Sequence, residues 1–346
     1  MRMSYAQNLE DYHLDLVFAG QDVGIYIDVG GGHPVADNVS FWFYLRGWRG
    51  LVVEPQQQLA DIYAHIRPRD TVACCLAGRE DGEADFYAVE KLHGLSTTVK
   101  AHATHSRASF GVDFEAMRRP VRTLRSLCRE TALKTVDFVK IDAEGAERDV
   151  IAGMDFSSPR PRLLLIEAEV PGTMPEAWRD WENALLEQGY ALAFQDTLNR
   201  WYVAEEETAL RARFPSKPAE WHSLEHLWHC GRAVEKPEHP DHALAVILQR
   251  GFFASLPSID SSLLTALIER GLEGGKSQAP TAVSKAADLL GTAEFPRTRM
   301  ARGDLPSLLA TDEFRAALGR IACAYDGGHI MELDCLLSSS GHPGRR

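Results

Sequence analysis

Acids at the ends of apolar runs carry the chemical information in this chain. Asp28 lies near the end of Ile25-Tyr26-Ile27-Asp28-Val29, just before Gly30-Gly31-Gly32. Glu54 closes Gly50-Leu51-Val52-Val53, and Asp142 closes Val136-Asp137-Phe138-Val139-Lys140-Ile141 before Glu144-Gly145. Short apolar runs of this kind are buried strands of a parallel sheet. A glycine run lets the backbone pass very close to another group. Crevices of open α/β sheets lie beyond the carboxyl ends of their strands, so these acids are expected to share one. A glycine loop after the first strand, with an acid closing the second, is how such sheets hold a nucleoside by its ribose hydroxyls.

The glycine spacing discriminates between nucleosides. A dinucleotide fingerprint needs G-x-G-x-x-G, but Gly30-Gly31-Gly32 is followed by His33-Pro34-Val35. The loop also lacks the Lys-Ser/Thr ending of a phosphate-cradling loop. S-adenosylmethionine carries no phosphate and needs close backbone approach plus carboxylates for its amino group and ribose. Asp28, Gly30, Gly32 and Glu54 suit that donor. The alternatives are an NAD-dependent oxidoreductase, disfavoured by the absent third glycine, and a non-catalytic module binding a glycan or a partner protein.

Strand-like runs alternate with amphipathic stretches up to about residue 205. After the first two come 71–76, 84–89, 136–142, 162–167, 190–194 and 200–204, with helices expected at 35–47, 122–132, 146–154 and 178–188. That alternation predicts a mostly parallel sheet covered on both faces. The last pair, split by a turn at 196–199, reads as an antiparallel edge hairpin. The segment 90–114 reads as a loop whose Ser96, His102, His105 and Arg107 offer polar groups to a hydroxylated substrate. Beyond Glu207 the prolines Pro215, Pro218, Pro237 and Pro240 interrupt regular structure. Short helices are expected at 242–253, 262–270, 284–290 and 312–325. The domain expectation is therefore residues 1–207 as an α/β domain and 208–346 as a linker and helical extension.

Composition narrows the partners. The 346 residues carry a formal charge of −12 with 45% hydrophobic and 25% charged residues. That is an ordinary globular balance, and the acidity argues against a nucleic-acid surface. No apolar run reaches a membrane-spanning length, and the first residues lack the apolar core of a secretory signal. Six scattered cysteines without a C-x-x-C pair suit a reducing cytoplasm.

Further constellations are less pointed. Glu147 stands at the start of a helix, where an acid favours the macrodipole. Glu167 and Glu169 close the next strand and would face the same crevice, and Asp142 with Glu167 could hold magnesium through oxygen ligands. His222 and His226, four apart, would share a helix face as zinc ligands often do. The H-E-x-x-H pattern is absent, and an aromatic packing surface explains the segment as well.

In order along the chain, Ser4–Asp11, Asp28–Asp37, Arg46–Gly50, Gly94–Thr97, Val121–Leu124, Lys140–Glu147 and Leu198–Val203 resemble FkbM-type methyltransferases. The resemblance implies a Rossmann-like class I methyltransferase with a seven-stranded sheet, and methyl transfer from S-adenosylmethionine to a hydroxyl of a sugar, glycan or polyketide-like acceptor. It adds Gln7 and Glu10 as donor-binding residues. It does not reach the extension. The family often has alanine and asparagine where Gly31 and Gly32 stand, and valine where Ala143 stands. A hydroxyl is a poor nucleophile until its proton leaves, so a base within hydrogen-bond reach is required. Asp142 or Glu144 is expected to orient and deprotonate the acceptor, with His33 competing for the role and, alternatively, capping the following helix.

Overall fold

A computed structural model describes residues 3–89, 92–168 and 177–255, together with Leu263. Seven strands form the main sheet: β1 (Ile25–Val29), β2 (Arg49–Val53), β3 (Thr71–Ala73), β4 (Val136–Ile141), β5 (Pro161–Glu167), β6 (Tyr190–Gln195) and β7 (Asn199–Ala204). Their spatial order is β6-β7-β5-β4-β1-β2-β3. Strands β3, β2, β1, β4 and β5 pair in parallel. Strand β7 is antiparallel to both β5 and β6, so the sheet is mixed.

Both faces are covered, as the near-continuous apolar strands require. Side chains alternate between faces along a strand. Ile27 and Val29 of β1 therefore join Leu51, Val53, Val139 and Ile141 in one core cluster. Tyr26 points the other way, into an aromatic cluster with Phe18, Phe43, Trp48 and Phe138. Asp28 lies on the Tyr26 face of the strand, and this parity decides its role below.

Several elements depart from the sequence expectation. The run 71–76 is broken: only Thr71–Ala73 stays in the main sheet. Leu76–Ala77 joins a separate three-stranded sheet with Gly82–Val89 and Phe114–Arg122, so 84–89 is not a strand of the main sheet. The expected loop at 90–114 contains a 3-10 turn, His93–Leu95, and an α-helix, Lys100–Phe110. The helix expected over 35–47 is only Phe41–Leu45. Among the described residues of the extension, His242–Ser255 is helical as expected. Met3–Ser4 pairs in parallel with Glu225–His226, and Leu227 packs into a cluster with Tyr5 and Phe41. The helices expected at 262–270, 284–290 and 312–325, and Glu169, lie outside the described residues, Leu263 apart. No helix among the described residues is long and apolar enough to cross a membrane.

Candidate active site

A cavity of about 500 Å³ opens beyond the carboxyl ends of β1, β2, β4 and β5. Its walls include Gly30–Gly32, Glu54, Lys140, Asp142, Glu144 and Glu167. The second sheet, the turn before helix Lys100–Phe110 and the end of that helix close the other side through Phe86, Leu92, His93, Ser96, Thr97 and Phe110. Gln7 and Leu198 complete the rim.

The glycine loop is bare by necessity at two positions. Gly30 has φ +70°, and a Cβ there would lie 1.8 Å from the Asp142 carbonyl oxygen. At Gly31 a Cβ would meet Val52 Cγ1 at 2.4 Å and the Tyr63 hydroxyl at 2.8 Å. Gly32 differs: its φ is +56°, but a Cβ would touch nothing nearer than His93 Nε2 at 3.8 Å.

Glu54 stands at the cavity wall as expected. Its Oε2 accepts from Gly32 N at 2.8 Å and its Oε1 from Gln56 N at 2.8 Å. A carboxylate offers about four lone-pair sites, so the two amides leave room for further donors, the Gln56 side chain among them. Burial pushes this carboxyl up to about 7, against the pull of those two amides and of Lys140.

Asp28 is not on the wall, which corrects the expectation that it binds the donor directly. It is 1% exposed, because the residue that reaches the crevice is Val29 and Asp28 faces the opposite side of the sheet. Ser40 Oγ donates to Asp28 Oδ2 at 2.5 Å, and Lys140 Nζ lies 3.7 Å from Oδ1. Below it runs a buried polar network. Arg67, fully buried, donates to Ser40 Oγ at 2.8 Å, to Asn38 Oδ1 at 2.8 Å and to the Tyr26 hydroxyl at 2.9 Å. It also pairs with Asp70 at 2.7 Å. Asn38 Nδ2 and the Tyr63 hydroxyl donate to the Gly31 carbonyl at 2.9 and 2.8 Å. Lys140 Nζ donates to the Gly30 carbonyl at 2.7 Å. Asp28 therefore sits beneath the loop, in a supporting network whose members Arg67, Asn38 and Lys140 the sequence reading missed.

At the far end three carboxylates converge. Asp142, Glu144 and Glu167 each bring an oxygen within 4.8 Å of the others, and Asp142 Oδ2 pairs with Lys140 Nζ at 3.2 Å. Burial, then Asp142, raises Glu144 and Glu167 well above the usual carboxylate range. Oε2 of each is buried without a hydrogen-bond partner. Protons taken up by such a cluster relieve its like-charge repulsion, so its composition alone assigns no magnesium. Glu147 is a brace instead: its Oε1 accepts from Ala143 N at 2.9 Å and Gly145 N at 3.1 Å.

His33 lines the cavity, but its Nδ1 accepts from Val35 N at 3.2 Å and Ala36 N at 3.1 Å. Those bonds leave Nε2 carrying the proton. Burial, then His93, drives the imidazole down to about 3. A ring whose lone pair is occupied and whose basicity is suppressed is a cap rather than a base, and the expected catalytic role is withdrawn. Glu10 is likewise off the wall. It accepts from Asn8 N at 2.6 Å and Asn199 Nδ2 at 2.9 Å, and burial, then Asp196, pushes it up to about 8. Its place is to strap the segment bearing Gln7 to the β6–β7 turn, where Asn8 Nδ2 also reaches Asp196 Oδ1 at 3.1 Å.

Of the polar residues expected to meet an acceptor, Ser96 is on the wall, whereas His102, His105 and Arg107 are not. Arg107 pairs with Asp113 at 2.9 Å. His222 and His226 do not share a helix: one lies in a 3-10 turn, the other in a two-residue strand. His226 stacks on Trp221 with centroids 3.8 Å apart, which is the packing alternative. Among the described residues no metal-competent group forms there.

No curated protein and no solved structure matches the chain. The family model described as the methyltransferase FkbM domain matches residues 22–192. That span runs from the strand before the glycine cradle through the acid cluster to the edge hairpin. Residues 22–192 therefore belong to the methyltransferase FkbM domain family, and the chain carries a domain of methyl-transfer enzymes.

Proposed function

We propose that the chain is an S-adenosylmethionine-dependent O-methyltransferase of the Rossmann-like class I type, acting on a hydroxyl of a sugar, glycan or polyketide-like acceptor. The observation that carries this reading is the cavity with two unlike ends. One end is a cradle with no room for a Cβ beside a carboxylate with spare lone pairs, and the other is a converging acid cluster.

The residues present fit the donor. Gly30 and Gly31 let the loop lie against the Asp142 carbonyl, Val52 and Tyr63 with no side chain between, and Glu54 can accept from both ribose hydroxyls. No phosphate-binding third glycine is required. When bound, the donor supplies an electrophilic methyl on a sulfonium. The chain supplies alignment, which contributes roughly 7–11 kcal/mol in favourable systems, and removal of the acceptor proton. Glu144 is the base. Its Oε2 has no protein partner, and burial with the neighbouring Asp142 raises its affinity for protons, as a general base needs. Asp142, ion-paired with Lys140, orients the hydroxyl. The acceptor enters between the acids and the Leu92–Thr98 turn. We assign residues 1–207 to this catalytic unit and 208–346 to an extension.

The reading is tested by incubating the protein with S-adenosylmethionine and a panel of hydroxylated acceptors and measuring S-adenosylhomocysteine. Acceptor-dependent formation is expected. Heat on titrating NAD, with none for S-adenosylmethionine, would favour the oxidoreductase instead.

The loop gives a paired prediction. Gly30→Ala drives a Cβ into the Asp142 carbonyl and is expected to abolish measurable donor binding. Gly32→Asn places in the left-handed region one of the few side chains that tolerates it, facing open space. Its thermal stability is expected to stay within about 1 kcal/mol of the parent. Calorimetric titration and thermal melts of the two variants check both statements.

A further inference from the structure

We infer that Thr97 is a positioning residue for the reaction, acting through Glu144: its hydroxyl holds the backbone turn that presents the Glu144 carboxyl to the cavity. The inference rests on the proposed role of Glu144 and adds to that site a residue bridged to the second sheet.

Glu144 has φ +51°, in the left-handed region that non-glycine residues rarely occupy. Residues kept in such conformations need surroundings that over-determine them. The Thr97 hydroxyl donates to the Glu144 carbonyl at 2.7 Å. The same oxygen accepts from Val99 N at 2.9 Å, which directs its single proton toward Glu144. Thr97 is 1% exposed. Its own backbone is fixed by a two-way bridge with Tyr87, 2.8 Å from Tyr87 N to Thr97 O and 3.1 Å in return. His102 Nδ1 lies 3.3 Å from the Glu144 carbonyl as a second contact. The turn is thus clamped from its own helix by Glu147 and from the other side by Thr97, itself bridged to the second sheet through Tyr87. Thr97 also lines the cavity, so the same residue joins the acceptor wall to the base.

The test compares Thr97→Val, which keeps the shape but removes the donor, with Thr97→Ser, which keeps the hydroxyl. Each is measured alone and in a Glu144→Gln background, with donor Kd, acceptor KM and kcat determined separately. Thr97→Val is expected to lower kcat by about tenfold or more while donor Kd changes by less than about twofold. Thr97→Ser is expected to restore most of kcat. In the Glu144→Gln background, Thr97→Val should cost nothing further, because residues acting as a unit are non-additive. Equal losses in the Val and Ser variants, an undiminished loss in the Glu144→Gln background, or an unchanged kcat in Thr97→Val would overturn the inference. If Thr97→Val is insoluble, Thr97→Cys, a weak donor, replaces it under the same comparisons. Full turnover by Glu144→Gln alone would instead remove the base assignment, so the two failures are separable.

Discussion

Glu144→Gln is expected to lower kcat by about 10²–10⁴-fold, the range for loss of a general base, while donor affinity stays close to that of the parent. Gln preserves the size of the side chain and its left-handed backbone, so the change isolates the proton-accepting oxygen. In the parent, activity should rise with pH. A base must be deprotonated to work, and burial with the neighbouring Asp142 raises this carboxyl well above 4.5. The acid limb of the rate profile should therefore lie well above 4.5, and it should vanish with the substitution. Asp142→Asn should also abolish turnover with donor binding retained, as the proposed orientation of the same hydroxyl by Asp142 requires. Steady-state kinetics across pH, paired with donor titrations, measure all of this.

The second large effect is on stability. Arg67→Met should cost about 3–5 kcal/mol, the penalty for breaking a buried ion pair from one side. Arg67 and Asp70 have fully buried side chains, and the guanidinium also bonds Ser40, Asn38 and Tyr26. Removing it strands the Asp70 carboxylate and frees the two residues that hold Asp28 and the Gly31 carbonyl. Donor binding should weaken in the same variant. An exposed pair is the control: Arg79 and Asp149, with side chains 52% and 56% exposed, should contribute no more than about 1 kcal/mol. Urea unfolding of Arg67→Met and Arg79→Met compares the two directly.

What the sequence revealed followed strand periodicity. Glu54 was legible because it follows the last residue of β2 and so emerges past the strand end. Asp28 misled for the same reason. It precedes the last residue of β1, and alternation turns it onto the covered face. The turn acids were readable from the strand before them, but the rank among them was not, because it depends on burial and on Lys140 folding across to Gly30. Arg67 gave no signal, since its partners Tyr26, Asn38 and Ser40 are distant in the chain. The closing wall was hidden by composition. Helix Lys100–Phe110 buries only Ala103 and Ser106, leaving no apolar stripe to read, and Phe114–Arg122 is a strand with little burial. The break after Ala73 reflects a change of sheet, which an apolar run cannot announce.

Glu54, beside the glycine cradle, is the proposed ribose ligand of the donor, and the other assignments depend on it. Calorimetric titration of S-adenosylmethionine into the parent and into Glu54→Ala measures this most directly. The parent is expected to bind at one site, and the variant to bind at least about tenfold more weakly, as fits loss of charged hydrogen bonds. Equal affinity in the two proteins, or no heat from the parent, would contradict it.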